Sequence, residues 1–172
     1  MEKLLIEGGH PISGTLVPSG NKNAALPLLA ACVLTDEPVT LRNMPDIGDI
    51  GTMAEILDDI GVGVKQLEPH TWRIHADNVR TDELSPDLFS RIRGSITLAG
   101  PMLARTGSVR MPRPGGDLIG RRRVDTHFLA LSALGAEVVS DSSFRLECDR
   151  LQGTDVLLDE ASVTGTENAI MA

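Results

Sequence analysis

The chain has 172 residues, enough for one domain with its own core, and 41% of them are hydrophobic and 23% charged. Its net charge of -8 excludes the broad basic surface on which nonspecific nucleic-acid binding depends, although a local basic cleft is compatible with that charge. With one tryptophan, three phenylalanines and no tyrosine, the chain also lacks the aromatic platforms of single-stranded nucleic-acid binders.

The N-terminal residues do not resemble a targeting segment, because they lack a basic start and a long apolar region. The longest apolar run, 24–34, is interrupted by Pro27 and falls short of the roughly 20 residues that span a bilayer. Cys32 and Cys148 form no metal-binding spacing, so we interpret both as free thiols in a reducing compartment. The sequence predicts a cytoplasmic protein without a metal or a cofactor.

Two long segments repeat the same order of predicted elements. Residues 39–64 and 108–139 each have the pattern of a strand, a loop, an amphipathic helix, a glycine and a second strand. Gly61 and Gly135 follow the two helices, where a left-handed cap favours glycine. Alternating residues at 72–75 and 144–147 predict one further strand in each copy.

A polar turn followed by a helix recurs at 19–25, 93–96 and 164–169. Short strands are predicted before the first and third copies, at 14–17 and 155–158. The helices of 24–34 and 96–104 are apolar almost all round, which is typical of buried helices. We therefore predict an α+β fold of repeated βαβαββ units, with buried helices and outer sheets.

The last predicted helix begins near Thr166 and has fewer than two turns before the sequence ends. Isolated helices of that length are not stable, and domains do not usually end inside a core helix. We therefore expect the sequence to be a truncated part of a longer protein.

Five motifs in order resemble those of UDP-N-acetylglucosamine enolpyruvyl transferases, in the EPSP synthase superfamily. They are 19–27 (SGNKNAALP), 91–96 (RIRGSI), 114–122 (PGGDLIGRR), 124–127 (VDTH) and 161–168 (ASVTGTEN). The resemblance covers essentially the whole chain and corresponds to the N-terminal portion of such an enzyme. It implies an inside-out α/β barrel of six repeats in two domains. Residues 21–172 would form about two repeats, and residues 1–20 would be N-terminal strands that pack with a C-terminal domain that this chain lacks.

The resemblance implies transfer of the enolpyruvyl group of phosphoenolpyruvate to the 3-hydroxyl of UDP-N-acetylglucosamine, the first committed step of peptidoglycan synthesis. Relatives that act on shikimate 3-phosphate typically have Ser-Lys-Ser in the first motif, whereas residues 21–23 here are NKN, which favours the sugar nucleotide. Two alternatives remain open. Instead of an incomplete fragment of the enzyme, the chain would be a noncatalytic remnant that binds the sugar nucleotide, or one half of a split enzyme whose C-terminal half is a separate chain.

Two anionic substrates require cations and helix N-termini in one cleft. Lys22 lies at a predicted helix start and suits a phosphate or a carboxylate, although a lone lysine is usually solvated. Arg93 starts another helix and is a substrate-side arginine by the family pattern, or else a surface residue paired with Asp87. Asn23 either binds ligand or caps the turn, and Asp49 either lies near the pocket or faces water.

Asp117 occupies the position at which the family usually has the cysteine that protonates the methylene carbon of phosphoenolpyruvate. A carboxylic acid can serve there if burial or bound anions raise its pKa; the alternative is an aspartate that only forms a turn. The resemblance then implies insensitivity to fosfomycin, whose epoxide alkylates the thiol. Arg122 is assigned to phosphate binding or charge stabilisation, so the predicted catalytic set is Lys22, Asp117 and Arg122.

The remaining predicted contacts are with the sugar nucleotide. Val124 and Asp125 are placed beside the uracil, where Arg123 replaces the usual proline and leaves the base contacts open. A second group offers hydroxyl and N–H donors to the diphosphate, or only caps the last helix: Ser162, Val163 and Thr164. No catalytic role is assigned to the histidines, which show no metal spacing and no triad partner: His10, His70, His75 and His127.

Overall fold

The computed structural model describes residues 3–82, 84–115 and 123–172. The helices are α1 (Lys22–Ala31), α2 (Gly48–Asp59), α3 (Pro86–Arg91), α4 (Ala99–Thr106), α5 (Asp125–Ala133) and α6 (Val163–Met171), with 3-10 segments at Cys32–Leu34 and Arg93–Leu98. The strands are β1 (Val39–Leu41), β2 (Gly63–Glu68), β3 (Thr71–His75), β4 (Ser108–Met111), β5 (Glu137–Ser140) and β6 (Phe144–Glu147). No helix in these ranges is long and apolar enough to cross a membrane.

The strands form two antiparallel sheets of the same topology, β1-β3-β2 and β4-β6-β5. In the second sheet Val109 pairs with Leu146, and Met111 pairs with Phe144. All four side chains are buried, because alternate residues of a strand point to the same face. The predicted repetition of 39–64 in 108–139 and the hairpin strands at 72–75 and 144–147 are confirmed.

Helix α2 shows why the sequence forms an amphipathic helix at this position. Its buried residues, spaced three and four apart, are Ile50, Met53, Ile56 and Leu57. Gly61 follows α2 with φ +90°, and Gly135 follows α5 with φ +104°. Both angles lie in the left-handed region that favours glycine, so the predicted glycine stops are confirmed.

Residues 95–103 run from the second 3-10 segment into α4. They lie at the centre of the molecule and are all buried. Helix α1 packs against the 3-10 part, and α6 packs against α4. The sheets lie outside these helices, and the predicted α+β class is confirmed. Helix α1 is less enclosed than predicted, because Leu28 is 49% exposed.

Two predicted strands are absent. Residues 14–17 and 155–158 form no strand, and Leu16 and Leu157 are each about nine-tenths exposed. A strand needs a neighbouring strand for its backbone hydrogen bonds, and the described residues supply none there. The described unit is therefore helix, strand, helix and two strands. Residues 3–20 also form no strand, while their assignment to a C-terminal domain stays a prediction.

Helix α6 begins earlier than predicted, at Val163 instead of near Thr166. The cause is the Ser162 side chain, whose Oγ accepts a hydrogen bond from the backbone N–H of Gly165 at 3.0 Å. A serine at this position satisfies one of the N–H groups that an N-terminal turn leaves without a helical partner. The 164–169 turn is thus already helical.

Candidate active site

Lys22 is the first residue of α1. The preceding Asn21 caps the helix, because its Oδ1 accepts from the backbone N–H of Asn23 at 2.7 Å. The Lys22 ammonium forms an ion pair with the carboxylate of Asp49, in the first turn of α2, and the two side chains are 48% and 38% exposed. The residue that caps α1 is therefore Asn21 and not Asn23. Asp49 contacts Lys22.

An open cavity of about 330 Å³ lies where α1, α2, the 3-10 segment Arg93–Leu98 and α6 meet. Four predicted site residues converge on it: Lys22, Asn23, Arg93 and Thr164. Its lining also includes Asp49 and Arg91. Three cationic side chains and one carboxylate thus line the cavity, although the net charge of the protein is -8.

The two cavity arginines are held by different partners. Arg91 donates to the carboxylates of Asp87 at 2.7 Å and Glu55 at 3.0 Å, and these contacts raise its pKa. Nη2 of Arg93 donates to the backbone carbonyl of Arg123 at 2.6 Å. Asp87, the alternative partner considered for Arg93, is therefore bound by Arg91, and Arg93 connects the cavity to the residues that precede α5.

Arg123 joins the start of α5 to the segment before α6. Its guanidinium forms ion pairs with Asp125 at 2.6 Å and with Asp159 at 2.5 Å. Thr126 adds a hydrogen bond from its Oγ1 to Asp159 at 3.1 Å. The Arg123 side chain lowers the pKa of Asp125, chiefly by hydrogen bonding. Asp125 belongs to this cluster and Val124 precedes it in the chain, and neither is among the described residues that line the cavity.

His127, to which the sequence analysis assigns no role, is 2% exposed and contacts the cavity wall. Its Nε2 lies 3.3 Å from Oγ1 of Thr164, and its Nδ1 lies 2.7 Å from Nδ2 of Asn168. Burial, and secondarily the charge of Arg93, lower the pKa of His127 to about 4. In the sequence, His127 stands out only as a histidine at a buried position of α5. Its partner Asn168 is 41 residues away, so the sequence does not indicate their contact.

Several predicted site residues remain untested by this geometry. Asp117 and Arg122 lie outside the described residues, and their assigned roles stay predictions. Ser162 caps α6, as the simpler of its two interpretations predicts. Val163 is 72% exposed. The predicted contacts of Val163 with a diphosphate and of Val124 with a uracil also stay predictions.

Comparison with known proteins identifies the family of this chain. The family model described as EPSP synthase (3-phosphoshikimate 1-carboxyvinyltransferase) matches residues 6–172. The UDP-N-acetylglucosamine 1-carboxyvinyltransferase of Treponema denticola is 49% identical over 172 residues, and that of Bradyrhizobium diazoefficiens is 52% identical over 168 residues. These matches cover 100% and 98% of this chain but 40% and 39% of the relatives, so the chain spans about two-fifths of their length.

Solved structures show the same fold over part of their length. The enolpyruvyl transferase NikO from Streptomyces tendae has a TM-score of 0.75 at 22% identity, covering 95% of this chain and 39% of that chain. An EPSP synthase from Acinetobacter baumannii has a TM-score of 0.70 at 15% identity, covering 92% and 37%. The predicted enolpyruvyl transferase fold is confirmed for the part of that fold that this chain covers. Because the family model matches almost the whole sequence, the chain belongs to the EPSP synthase (3-phosphoshikimate 1-carboxyvinyltransferase) family.

Proposed function

We propose that this chain supplies part of the active site of a UDP-N-acetylglucosamine 1-carboxyvinyltransferase. The reaction transfers the enolpyruvyl group of phosphoenolpyruvate to the 3-hydroxyl of UDP-N-acetylglucosamine and releases phosphate. The observation that carries the proposal is the convergence of Lys22, Asn23, Arg93 and Thr164 on one basic cavity. Both substrates carry phosphate, and charge-assisted hydrogen bonds from lysine and arginine are the strongest contacts that a protein offers to such groups.

Lys22 binds an anionic group of phosphoenolpyruvate in this proposal. Its ammonium is a compact charge with three donors, and the Asp49 carboxylate already holds it at the cavity. An incoming phosphate or carboxylate therefore competes with Asp49 for an ammonium that is in place before the ligand arrives. Arg93 adds a planar donor group to the lining of the same cavity, where its bond to the Arg123 carbonyl limits its movement.

Asp117 acts as the acid, by its position in the 114–122 motif. It donates a proton to the methylene carbon of phosphoenolpyruvate while the 3-hydroxyl oxygen of the sugar loses its proton to solvent and bonds to the adjacent carbon. The bond from that carbon to phosphate then breaks as the new methyl group loses a proton, which restores the C=C bond. Bound phosphate and carboxylate favour the protonated form of a neighbouring carboxyl group, which this role requires. Arg122 then stabilises the negative charge of the transition state.

The sugar nucleotide occupies the α6 side of the cavity and extends toward the start of α5. Ser162, Val163 and Thr164 bind its diphosphate, and Val124 and Asp125 lie beside its uracil. The product serves peptidoglycan synthesis, and through it cell-wall biogenesis, cell shape, the cell cycle and cell division. We place the enzyme in the cytoplasm and assign it no cofactor.

Phosphate release from phosphoenolpyruvate tests the proposal. The chain is assayed with UDP-N-acetylglucosamine or shikimate 3-phosphate, alone and mixed with a polypeptide that corresponds to the remaining three-fifths of a relative. We expect release with the sugar nucleotide in the mixture and a loss of at least about a hundredfold in Lys22→Ala, because an anion then loses its charged partner. The matched control is Lys65→Ala. Lys65 is an exposed residue of β2, so this variant is expected to stay active.

Each other outcome of that assay selects a different function. Release only with shikimate 3-phosphate assigns the chain to the other acceptor. Binding of UDP-N-acetylglucosamine without release in any mixture supports the noncatalytic remnant. Release by the chain alone means that copies of this chain complete the site together. A mixture that neither binds the sugar nucleotide nor releases phosphate overturns the proposal.

Fosfomycin gives a second test, directed at Asp117. The active mixture is expected to be insensitive to fosfomycin, because a carboxylic acid replaces the thiol that the epoxide alkylates. Asp117→Cys is expected to retain transfer and to become progressively inactivated, whereas Asp117→Ala loses transfer. Equal inhibition of the wild type and Asp117→Cys contradicts the assignment of Asp117 as the acid.

A further inference from the structure

Asn168 is completely buried at the start of a hydrogen-bond chain that leads to the cavity. Its Oδ1 accepts from the backbone N–H of Gly100 at 2.8 Å, and its Nδ2 donates to the carbonyl of Ile96 at 2.8 Å. A flipped amide would place two donors together at Gly100 and two acceptors together at Ile96. These two backbone groups therefore fix the orientation of the Asn168 side chain.

The orientation of Asn168 selects one tautomer of His127. Nδ2 of Asn168 lies 2.7 Å from Nδ1 of His127, and an amide nitrogen can only donate. Nδ1 therefore accepts, and the neutral imidazole carries its proton on Nε2. The neutral form prevails at neutral pH, because burial and the charge of Arg93 lower the pKa of His127 to about 4.

The tautomer of His127 determines in turn what the Thr164 hydroxyl can do. Nε2 lies 3.3 Å from Oγ1 of Thr164, and Nε2 carries the proton, so the threonine oxygen accepts. The hydroxyl proton is then available for a different acceptor. Thr164 is exposed and lines the cavity together with Lys22 and Arg93, so that acceptor can be a ligand in the cavity.

We propose that the Thr164 hydroxyl donates a hydrogen bond to a phosphate oxygen of the bound ligand, and that His127 and Asn168 are positioning residues that direct its proton. The ligand, UDP-N-acetylglucosamine, rests on the proposed function, whereas the direction of the hydrogen bonds rests on the geometry alone. A phosphate oxygen only accepts hydrogen bonds and is complementary to a hydroxyl whose oxygen is already occupied. Thr164 therefore favours a ligand that presents a hydrogen-bond acceptor to this wall of the cavity.

The test combines two NMR measurements on the full 172-residue chain. Nitrogen-15 spectra of labelled histidine report the tautomer of His127, and chemical-shift titrations report binding of UDP-N-acetylglucosamine and of inorganic diphosphate. We expect the Nε2-protonated tautomer at pH 7 and similar dissociation constants for the wild type and Thr164→Ser. Thr164→Val keeps the side-chain shape without the hydroxyl and is expected to bind both ligands at least about tenfold more weakly. Thermal unfolding of both variants checks that each is folded.

The outcomes separate this inference from the proposed function. Equal affinity of the wild type and Thr164→Val for the ligands overturns the inference and leaves the proposed function intact. A Thr164-dependent response to inorganic diphosphate but not to the sugar nucleotide supports the inference and overturns the proposed ligand. No response of the wild type to either probe overturns the inference, whereas the proposed function is decided by the assay of the mixture. A His127 that is protonated on Nδ1 overturns the inference whatever the titrations show.

Discussion

The first and last polar turns share one pattern, 20–24 (GNKNA) and 165–169 (GTENA), yet they lie in opposite environments. Asn23 is exposed and lines the cavity, whereas Asn168, at the same position of the motif, is completely buried and has three partners. The motif also sits differently on its helix, because α1 begins at Lys22 inside the motif and α6 begins at Val163 before it. Tertiary packing, and not the local pattern, thus decides whether the asparagine faces ligand or core.

The same asymmetry extends to the two repeats. All fully buried polar side chains among the described residues belong to the second half: Ser95, Thr97, Thr126, His127 and Asn168. The first repeat has an apolar core in the described structure, which is sufficient to build an equivalent sheet. A buried polar group destabilises the fold unless it is hydrogen-bonded, and each of these five side chains has a hydrogen-bond partner in the described structure.

The largest expected effect separates the two asparagines. Asn168→Ala removes the partner of the Gly100 N–H, the Ile96 carbonyl and His127 Nδ1, and is expected to lower the free energy of unfolding by about 3 kcal/mol. Asn23→Ala is the matched control and is expected to change it by less than about 0.5 kcal/mol, because Asn23 is exposed. Urea denaturation of both variants measures the difference.

A second substitution disturbs the same contact from the other side. The β-carbon of Gly100→Ala would clash with the backbone oxygen of Asn168, so this variant is also expected to be strongly destabilised. Similar losses in Asn168→Ala and Asn23→Ala would contradict the contrast between the two motif copies.

The next effect is a pH dependence confined to the second repeat. His127 has an ordinary pKa of 6.5 and a pKa of about 4 in the folded protein. The unfolded chain therefore binds the additional proton between those values, so stability is complete above about pH 6.5 and falls by about 3 kcal/mol as the pH decreases toward 4. Urea denaturation from pH 7.5 to 4.5 should show a flatter dependence in His127→Gln than in the wild type. His10→Gln, at an exposed position, should keep the wild-type dependence.

These contrasts show which features a single sequence can predict. The repeat, the glycine stops at Gly61 and Gly135 and the convergence of Lys22 and Arg93 were predictable, because each depends on local spacing or on a motif. The absent strand at 14–17 was not, since a strand depends on a partner that the pattern does not reveal. The contact of His127 with Asn168 was also not predictable, because it joins residues 41 positions apart.

A smaller effect is expected at the position that follows Thr166. Glu167 aligns with Lys22 in the motif, but its Oε2 is buried without a hydrogen-bond partner in the described structure, and burial raises its pKa. When folding raises the pKa of a carboxyl group, the folded protein becomes less stable as the pH rises through that pKa. Glu167→Gln should therefore increase the free energy of unfolding slightly at pH 7, with no gain near pH 4. Glu160→Gln, an exposed control, should show no gain at either pH.

The smallest effect compares two helical glycines, one with free space around it and one without. Gly51 lies inside α2, and a β-carbon added there would meet no atom within 4 Å, in contrast to Gly100. Gly51→Ala is therefore expected to raise the free energy of unfolding by about 0.5–1 kcal/mol, because alanine loses less backbone entropy in a helix than glycine does. Thermal and urea unfolding measure the gain. A loss of stability on Gly51→Ala would mean that a side chain does not fit at this position of α2, and the contrast with Gly100 would then fail.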